Sequence, residues 1–197
     1  MKQAIRASLA VAALGVALFS SPHVAHADGD DTALTNLVAL ASQRLALAEP
    51  VARWKWANHK AIEDRPREAA LLSSVEKRAG QSGVDPAFAR TFFEDQIAAS
   101  KEVQDALFAT WRATRPPEGA PPDLATSTRP ALDQLTQKML AGLAQVASLR
   151  DAPDCQARLA RSIANWKTLT RYDSAQTQAL GTALSHVCAG GGASAIG

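Results

Sequence analysis

Apolar residues recur along this chain at spacings of three and four. Leu34, Leu37, Ala41, Leu45, Ala48 and Ala52 do so, which is the period of one helix face. They predict a helical stretch from about Asp31 to His59. Pro50 lies inside it, where a ring without an N–H either kinks a helix or marks a join between two. A second stretch is predicted from about Arg65 to Gln81, closed by Gly83. The third opens at Asp85-Pro86, an N-cap aspartate followed by proline at the first helical position. It continues through Phe88, Phe92, Phe93, Ile97, Val103 and Leu107 to about Arg112. Thr114 to Pro130 carries four prolines before Arg129-Pro130 and reads as a long irregular connection. Pro130 then opens a helix through Leu132, Leu135, Met139, Leu143 and Val146 that ends before Pro153. Asp154 is expected to cap a last helix through Leu159, Ile163, Trp166 and Leu169 to about Cys188. No segment alternates with the period of two that a half-buried strand needs. The pattern predicts an all-α, single-domain protein.

The ends change the count. Lys2 and Arg6 precede an apolar run from Leu9 to Phe19, and Ala25-His26-Ala27 is a small-x-small site. Together they read as a signal peptide over residues 1–27. The run, at about 11 residues, is well short of the roughly 20 that span a bilayer. The expected domain therefore covers 28–189, and the Gly/Ser/Ala-rich 190–197 is expected to be a disordered tail. The leader holds two of the 21 basic residues and none of the 19 acidic ones, so the remainder is neutral with His uncharged. Neutrality removes any global argument for nucleic acid or, after cleavage, for a membrane as partner. Positive charge that serves function must be local.

Export also decides how the cysteines are read. Cys155 and Cys188 are the only two, and in an oxidising compartment a disulfide is the default. It would close a loop of about 33 residues, worth about 3–4 kcal/mol in the chain-entropy model. His59 and His186 are the only histidines after the leader, and neither has metal-type spacing to a cysteine. No metal is expected. Phosphate loops, dinucleotide fingerprints and nucleophile elbows are also missing from the sequence.

What stands out is charge on helix faces that should be apolar. Arg44 and Lys55 are 11 residues apart, three turns plus about 20° on a straight helix, so both point one way about 16 Å apart. Ser100 and Gln104 are four apart and share a face. Asp64, Arg67 and Glu68 form an i, i+3, i+4 group, and Arg129 sits where a loop enters a helix. Residue by residue, such charges are more often solvated or snorkelling than functional. Spacing alone supports a helical exported domain with a site for a small anion.

Several longer motifs carry a resemblance. Arg-Leu-x3-Glu-Pro-Val-Ala-x2-Lys-Trp (44–56), Ile-Glu-Asp-x2-Arg-Glu (62–68), Val-Asp-Pro (84–86), Phe-Glu-Asp-Gln-Ile (93–97), Ser-x3-Gln (100–104) and Pro-Pro-Asp-Leu (121–124) resemble the secreted, gamma subclass of AroQ-type chorismate mutases. The cysteine pair lies where that subclass carries its disulfide. The resemblance runs from about Leu34 to Cys188. It implies a helical bundle of the AroQ type, export to the periplasm or beyond the cell, and a cofactor-free isomerase that converts chorismate to prephenate. It also implies roles. Arg44 and Arg129 would hold the two substrate carboxylates with help from Lys55. Lys55 and Gln104 would donate hydrogen bonds to the ether oxygen of the breaking bond. Arg67 and Glu68 would flank the ring hydroxyl, with Asp64 orienting that edge, and Ser100 would bond a carboxylate. Arg129 would replace the arginine that core members of the family borrow from a partner subunit. The subclass is often dimeric, which makes a homodimer the expectation.

Two positions depart from relatives. Some carry Glu where this chain has Gln104; an amide donates at any pH, whereas a carboxyl must first be protonated. A pocket-lining Gln of a relative falls at Leu71, which loosens the ring-hydroxyl contact unless Glu68 covers it. The competing reading is an exported, non-catalytic helical domain that binds a small dicarboxylate. It would share Arg44, Arg67 and Arg129 but has no need of Lys55 and Gln104 together.

Overall fold

The computed structural model describes residues 25–190 of the 197-residue chain. Most of the expected leader and nearly all of the expected tail lie outside that range. Among the described residues seven α-helices make up the fold: α1 Ala25–Ala46, α2 Ala48–Ala57, α3 Arg65–Gln81, α4 Pro86–Ala113, α5 Arg129–Val146, α6 Cys155–Thr170 and α7 Ser174–Ala183. A π-helical turn, Leu124–Thr128, precedes α5, and a 3-10 turn, Ala147–Leu149, follows it. No strand occurs among the described residues, in line with the sequence pattern.

The first predicted stretch is two helices, and the break falls at Leu47 rather than at Pro50. The reason is local. Proline cannot donate to the carbonyl four residues back and its ring crowds that carbonyl. Ala46 is that residue, so α1 stops there, with the Leu47 amide closing back on the Arg44 carbonyl at 3.1 Å. Pro50 then falls in the first turn of α2, where its missing N–H costs nothing. The C-terminal stretch is also divided. Arg171 adopts a left-handed conformation (φ 56°) that ends α6. Asp173 then starts α7 with a capping box: its carboxylate accepts from the Gln176 amide, and the Gln176 side chain returns a bond to the Asp173 amide. Asp154 stands before α6 as expected but makes no side-chain cap bond. Asp64 and Asp85 do cap α3 and α4, accepting from the Arg67 and Ala87 amides.

The long helix α4 is the axis of the packing. It contacts α3 and α2 on one side and α7 and α1 on the other, while α1 also rests on α5 and α6. Leu34, Leu37 and Val38 of α1 meet Phe92 and Phe93 of α4, Met139 and Leu143 of α5, Ile163 of α6 and Leu180 of α7 in one dry core. Truncating any of these to alanine should cost about 2–5 kcal/mol. Gly142 lets α5 approach α1 closely, since a Cβ there would lie 3.3 Å from the Leu37 side chain. A smaller core of Ala52, Phe108 and Trp111 holds α2 on α4. Trp56 packs edge-on against Phe108 and Trp111, with ring centres 5.1 and 5.7 Å away.

Cys155 and Cys188 form the expected disulfide, with Cα atoms 5.9 Å apart. It ties the start of α6 to the segment after α7. Nearby, Asp95 of α4 accepts from the His186 amide at 3.1 Å and pairs with its ring Nδ1 at 2.9 Å. These elements form the rear of the molecule, and no residue of α6 or α7 lines the cleft described next. Replacing both cysteines by alanine should therefore lower unfolding free energy by about 3–4 kcal/mol and leave the cleft intact, as read by urea denaturation and by ligand binding to it.

Candidate active site

Two connected lobes make one cleft, roofed by α2 and the π-turn and floored by α4. The inner lobe encloses about 670 Å³ and the wider outer lobe about 1200 Å³, both including their open mouths. All eight residues singled out in the sequence line the outer lobe: Arg44 of α1, Lys55 of α2, Asp64, Arg67 and Glu68 at the start of α3, Ser100 and Gln104 of α4, and Arg129 of α5. Arg44, Lys55, Asp64, Arg67, Ser100 and Arg129 line the inner lobe as well. The straight-helix argument that joined Arg44 to Lys55 does not hold, because the helix breaks between them. The break at Leu47 instead lets α2 turn over the cleft and bring Lys55 to it.

Arg44 is the most telling of these. Its side chain is 7% exposed and lies over the Phe93 ring at 5.8 Å. Its Nε and Nη1 are buried without a hydrogen-bond partner. Burial lowers its pKa to about 10, with Asp133 opposing that fall and Arg67 adding to it. A buried guanidinium with unmade bonds is costly, and an anion in the cleft would supply what is missing.

Lys55 is half-buried and donates from Nζ to the Ile62 carbonyl. Burial lowers its pKa, Asp64 and Glu68 counteract this, and Lys101 and Arg67 reinforce it. Two N–H bonds remain for a ligand. Gln104 is 3% exposed. Its amide nitrogen donates to the Ser100 carbonyl and hydroxyl, both at 3.1 Å, and its Oε1 is buried without a partner. This residue therefore faces Ser100, and a ligand that takes bonds from either must re-pair the two. Asp64 is spent largely on capping α3: its Oδ1 takes the Arg67 amide at 3.3 Å. Its effect on the site is to fix the helix start that carries Arg67 and Glu68.

Glu68 is held at both oxygens. Oε1 accepts from the Asp64 amide at 3.1 Å, and Oε2 from Lys101 Nζ at 2.7 Å. Sequence reasoning missed Lys101, although it lies next to Ser100 and three residues before Gln104 on the same helix. It also missed Asp133, four residues after Arg129 on α5, which lines the outer lobe and acts on Arg44. Leu71 lines the outer lobe as an apolar wall. The π-turn that supplies Leu124 and Thr128 to the inner lobe is fixed by Asp123, whose carboxylate accepts from the Ala125 amide at 2.8 Å and the Thr126 hydroxyl at 3.0 Å. These bonds hold that carboxyl below its ordinary pKa, the Ala125 amide foremost.

Comparison with known proteins identifies the family. The family model for chorismate mutase type II matches residues 35–105, which include seven of the eight cleft residues and leave out Arg129. The secreted chorismate mutase of Mycobacterium tuberculosis is 36% identical over 170 residues, covering 85% of this chain and 83% of that one. That of Mycolicibacterium smegmatis is 35% identical over 182 residues, covering 90% and 99%. Among solved structures, the chorismate mutase of Burkholderia thailandensis superposes with a TM-score of 0.78 at 80% identity, over 80% of this chain and 99% of that one. The chorismate mutase of Burkholderia phymatum gives 0.77 at 32% identity, over 81% and 98%. These matches give the non-catalytic binding reading no support. A buried unpaired arginine in a cation-lined helical cleft, and full-length relatives above the level at which family is in doubt, lead to one conclusion: this exported, all-helical chain belongs to the chorismate mutase family, in its secreted AroQ-type branch.

Proposed function

We propose that the cleft converts chorismate to prephenate by holding the substrate folded and stabilising charge on its ether oxygen. The observation that carries this is the buried Arg44 guanidinium, two of whose nitrogens lack hydrogen-bond partners, set among Lys55, Arg67 and Arg129. Chorismate is a dianion, and its rearrangement is one pericyclic step: the ether C–O bond breaks as a C–C bond forms, with no proton transferred. A site for it needs fixed charges and shape rather than a base, nucleophile or metal.

Arg44 and Arg129 take the two carboxylates, because a guanidinium fork matches a carboxylate in two parallel bonds. Fixing both ends brings the enolpyruvyl arm over the ring, which supplies a proximity term. Lys55 and Gln104 donate to the ether oxygen as it gains negative charge. Ser100 turns its hydroxyl to a carboxylate, and that turn releases one Gln104 N–H toward the ether. Glu68 accepts from the ring hydroxyl through lone pairs left free by Asp64 and Lys101, beside Arg67. An acceleration of about 10⁶ needs roughly 8 kcal/mol, within reach of three contacts worth about 2–4 kcal/mol each. Arg129 comes from α5 of the same chain, so a homodimer is not required to complete the pocket. Processing after Ala27 would release the domain to the periplasm or beyond.

The role of Gln104 is tested by pH. The wild type should show a flat kcat/KM between about pH 5 and 8, because no carboxyl must be protonated. Toward pH 10, kcat/KM should fall as Arg44, whose pKa is lowered to about 10, loses charge in the free enzyme, while kcat holds longer because bound carboxylates keep the proton on. Gln104→Glu should lose rate as pH rises, since only the protonated form donates. Steep wild-type loss from pH 5 to 8, or a variant with the wild-type profile, would remove Gln104 from the ether oxygen.

A further inference from the structure

We propose that Lys101 is a positioning residue for this reaction, holding Glu68 in place and keeping it from capturing Lys55. The inference rests on the function proposed above. Lys101 Nζ lies 2.7 Å from Glu68 Oε2, and the two side chains are only 28% and 23% exposed. The pair is thus partly shielded from water, where a charge-assisted bond is worth more than at an open surface. The other Glu68 oxygen is held by the Asp64 amide at 3.1 Å, so the carboxylate is pinned from α3 and from α4. It can then present lone pairs to a ligand hydroxyl in one orientation only.

Lys101 also settles a competition. Glu68 faces two ammonium groups, since it acts on Lys55 as well. Lys55 bonds instead to the Ile62 carbonyl, which leaves its remaining N–H bonds for the cleft. Without Lys101, Lys55 is the ammonium group left for the Glu68 carboxylate to act on. A Lys55–Glu68 pair would draw Nζ away from the ether oxygen and turn the carboxylate from the ring hydroxyl. Both shifts damage the transition state more than ground-state binding, because the carboxylates of the substrate are held elsewhere.

The test is a double-mutant cycle on chorismate turnover, with circular dichroism to confirm folding. Lys101→Met keeps the stem and removes the charge; kcat should fall about tenfold, on the scale of a close charge pair, while KM changes less than about threefold. Lys101→Arg should restore kcat to within about threefold of wild type. In a Glu68→Gln background, Lys101→Met should cost less than about threefold more. A Lys101→Met enzyme with wild-type kcat, an equal tenfold loss in the Glu68→Gln background, or a Lys101→Arg enzyme no better than Lys101→Met would each overturn the inference. A wild type without turnover would instead overturn the function it rests on.

Discussion

Replacing Arg44 by methionine is expected to stabilise the ligand-free protein and to abolish turnover at once. The wild-type guanidinium is buried beside Phe93 with two of its nitrogens, Nε and Nη1, without a hydrogen-bond partner. Burial lowers its pKa to about 10, which corresponds to a net cost of about 3 kcal/mol. The cost is present at every pH below about 10. It is relieved only as pH rises from there toward the unfolded value, where the unfolded chain binds more protons than the native one. Methionine fills similar space and asks for no partner. An apolar side chain there removes the desolvation penalty of the charge and its unmade hydrogen bonds, and for a domain of this size 1 kcal/mol moves Tm by about 2–4 °C. Apo Tm should therefore rise by several degrees at pH 7, and the gain should shrink above pH 10. Turnover should fall by about 10³ or more in kcat/KM, the scale of removing one partner of a buried charge pair. Scanning calorimetry and a steady-state assay would check both halves. A variant that is less stable than wild type, or that keeps activity, would mean that Arg44 is structural.

Lys55→Ala carries the second large effect, and it separates rate from binding. Lys55 is the flexible point donor of the cleft, half-buried on α2 with one bond to the Ile62 carbonyl. Its removal should cost about 10²–10³ in kcat, the range for a donor aimed at developing charge, with a smaller rise in KM. The fold should survive, since α2 is held by Ala52 and by Trp56 against Phe108 and Trp111. Arginine should not rescue it, because a planar fork cannot present a single N–H from the same point. A kcat within threefold of wild type would exclude Lys55 from the ether oxygen.

How far the sequence reached can be judged from particular residues. Helices α3 to α5 were legible from their apolar period, helped by an N-cap aspartate and first-turn proline at α4 and by a first-turn proline at α5. The α1–α2 join falls three residues before Pro50, since that proline acts through the carbonyl of Ala46, four residues back. The α6–α7 break rests on a left-handed Arg171 that no propensity suggests, and the sequence pattern ran one helix through it. All eight site residues meet in one cleft, yet motif order, not helical geometry, brought Arg44 and Lys55 together. Charge pairs across elements were out of reach: Lys101 with Glu68, and Asp133 with Arg44, depend on how α4 and α5 dock. So did the burial of Arg44, which needs Phe93 from another helix above it.

One measurement bears on all of this: purified, signal-processed protein incubated with chorismate in the presence of a metal chelator, following loss of chorismate absorbance and appearance of prephenate. The account predicts saturable conversion about 10⁶-fold above the spontaneous reaction, unaffected by the chelator. Tight binding of chorismate with no conversion at micromolar protein would contradict it.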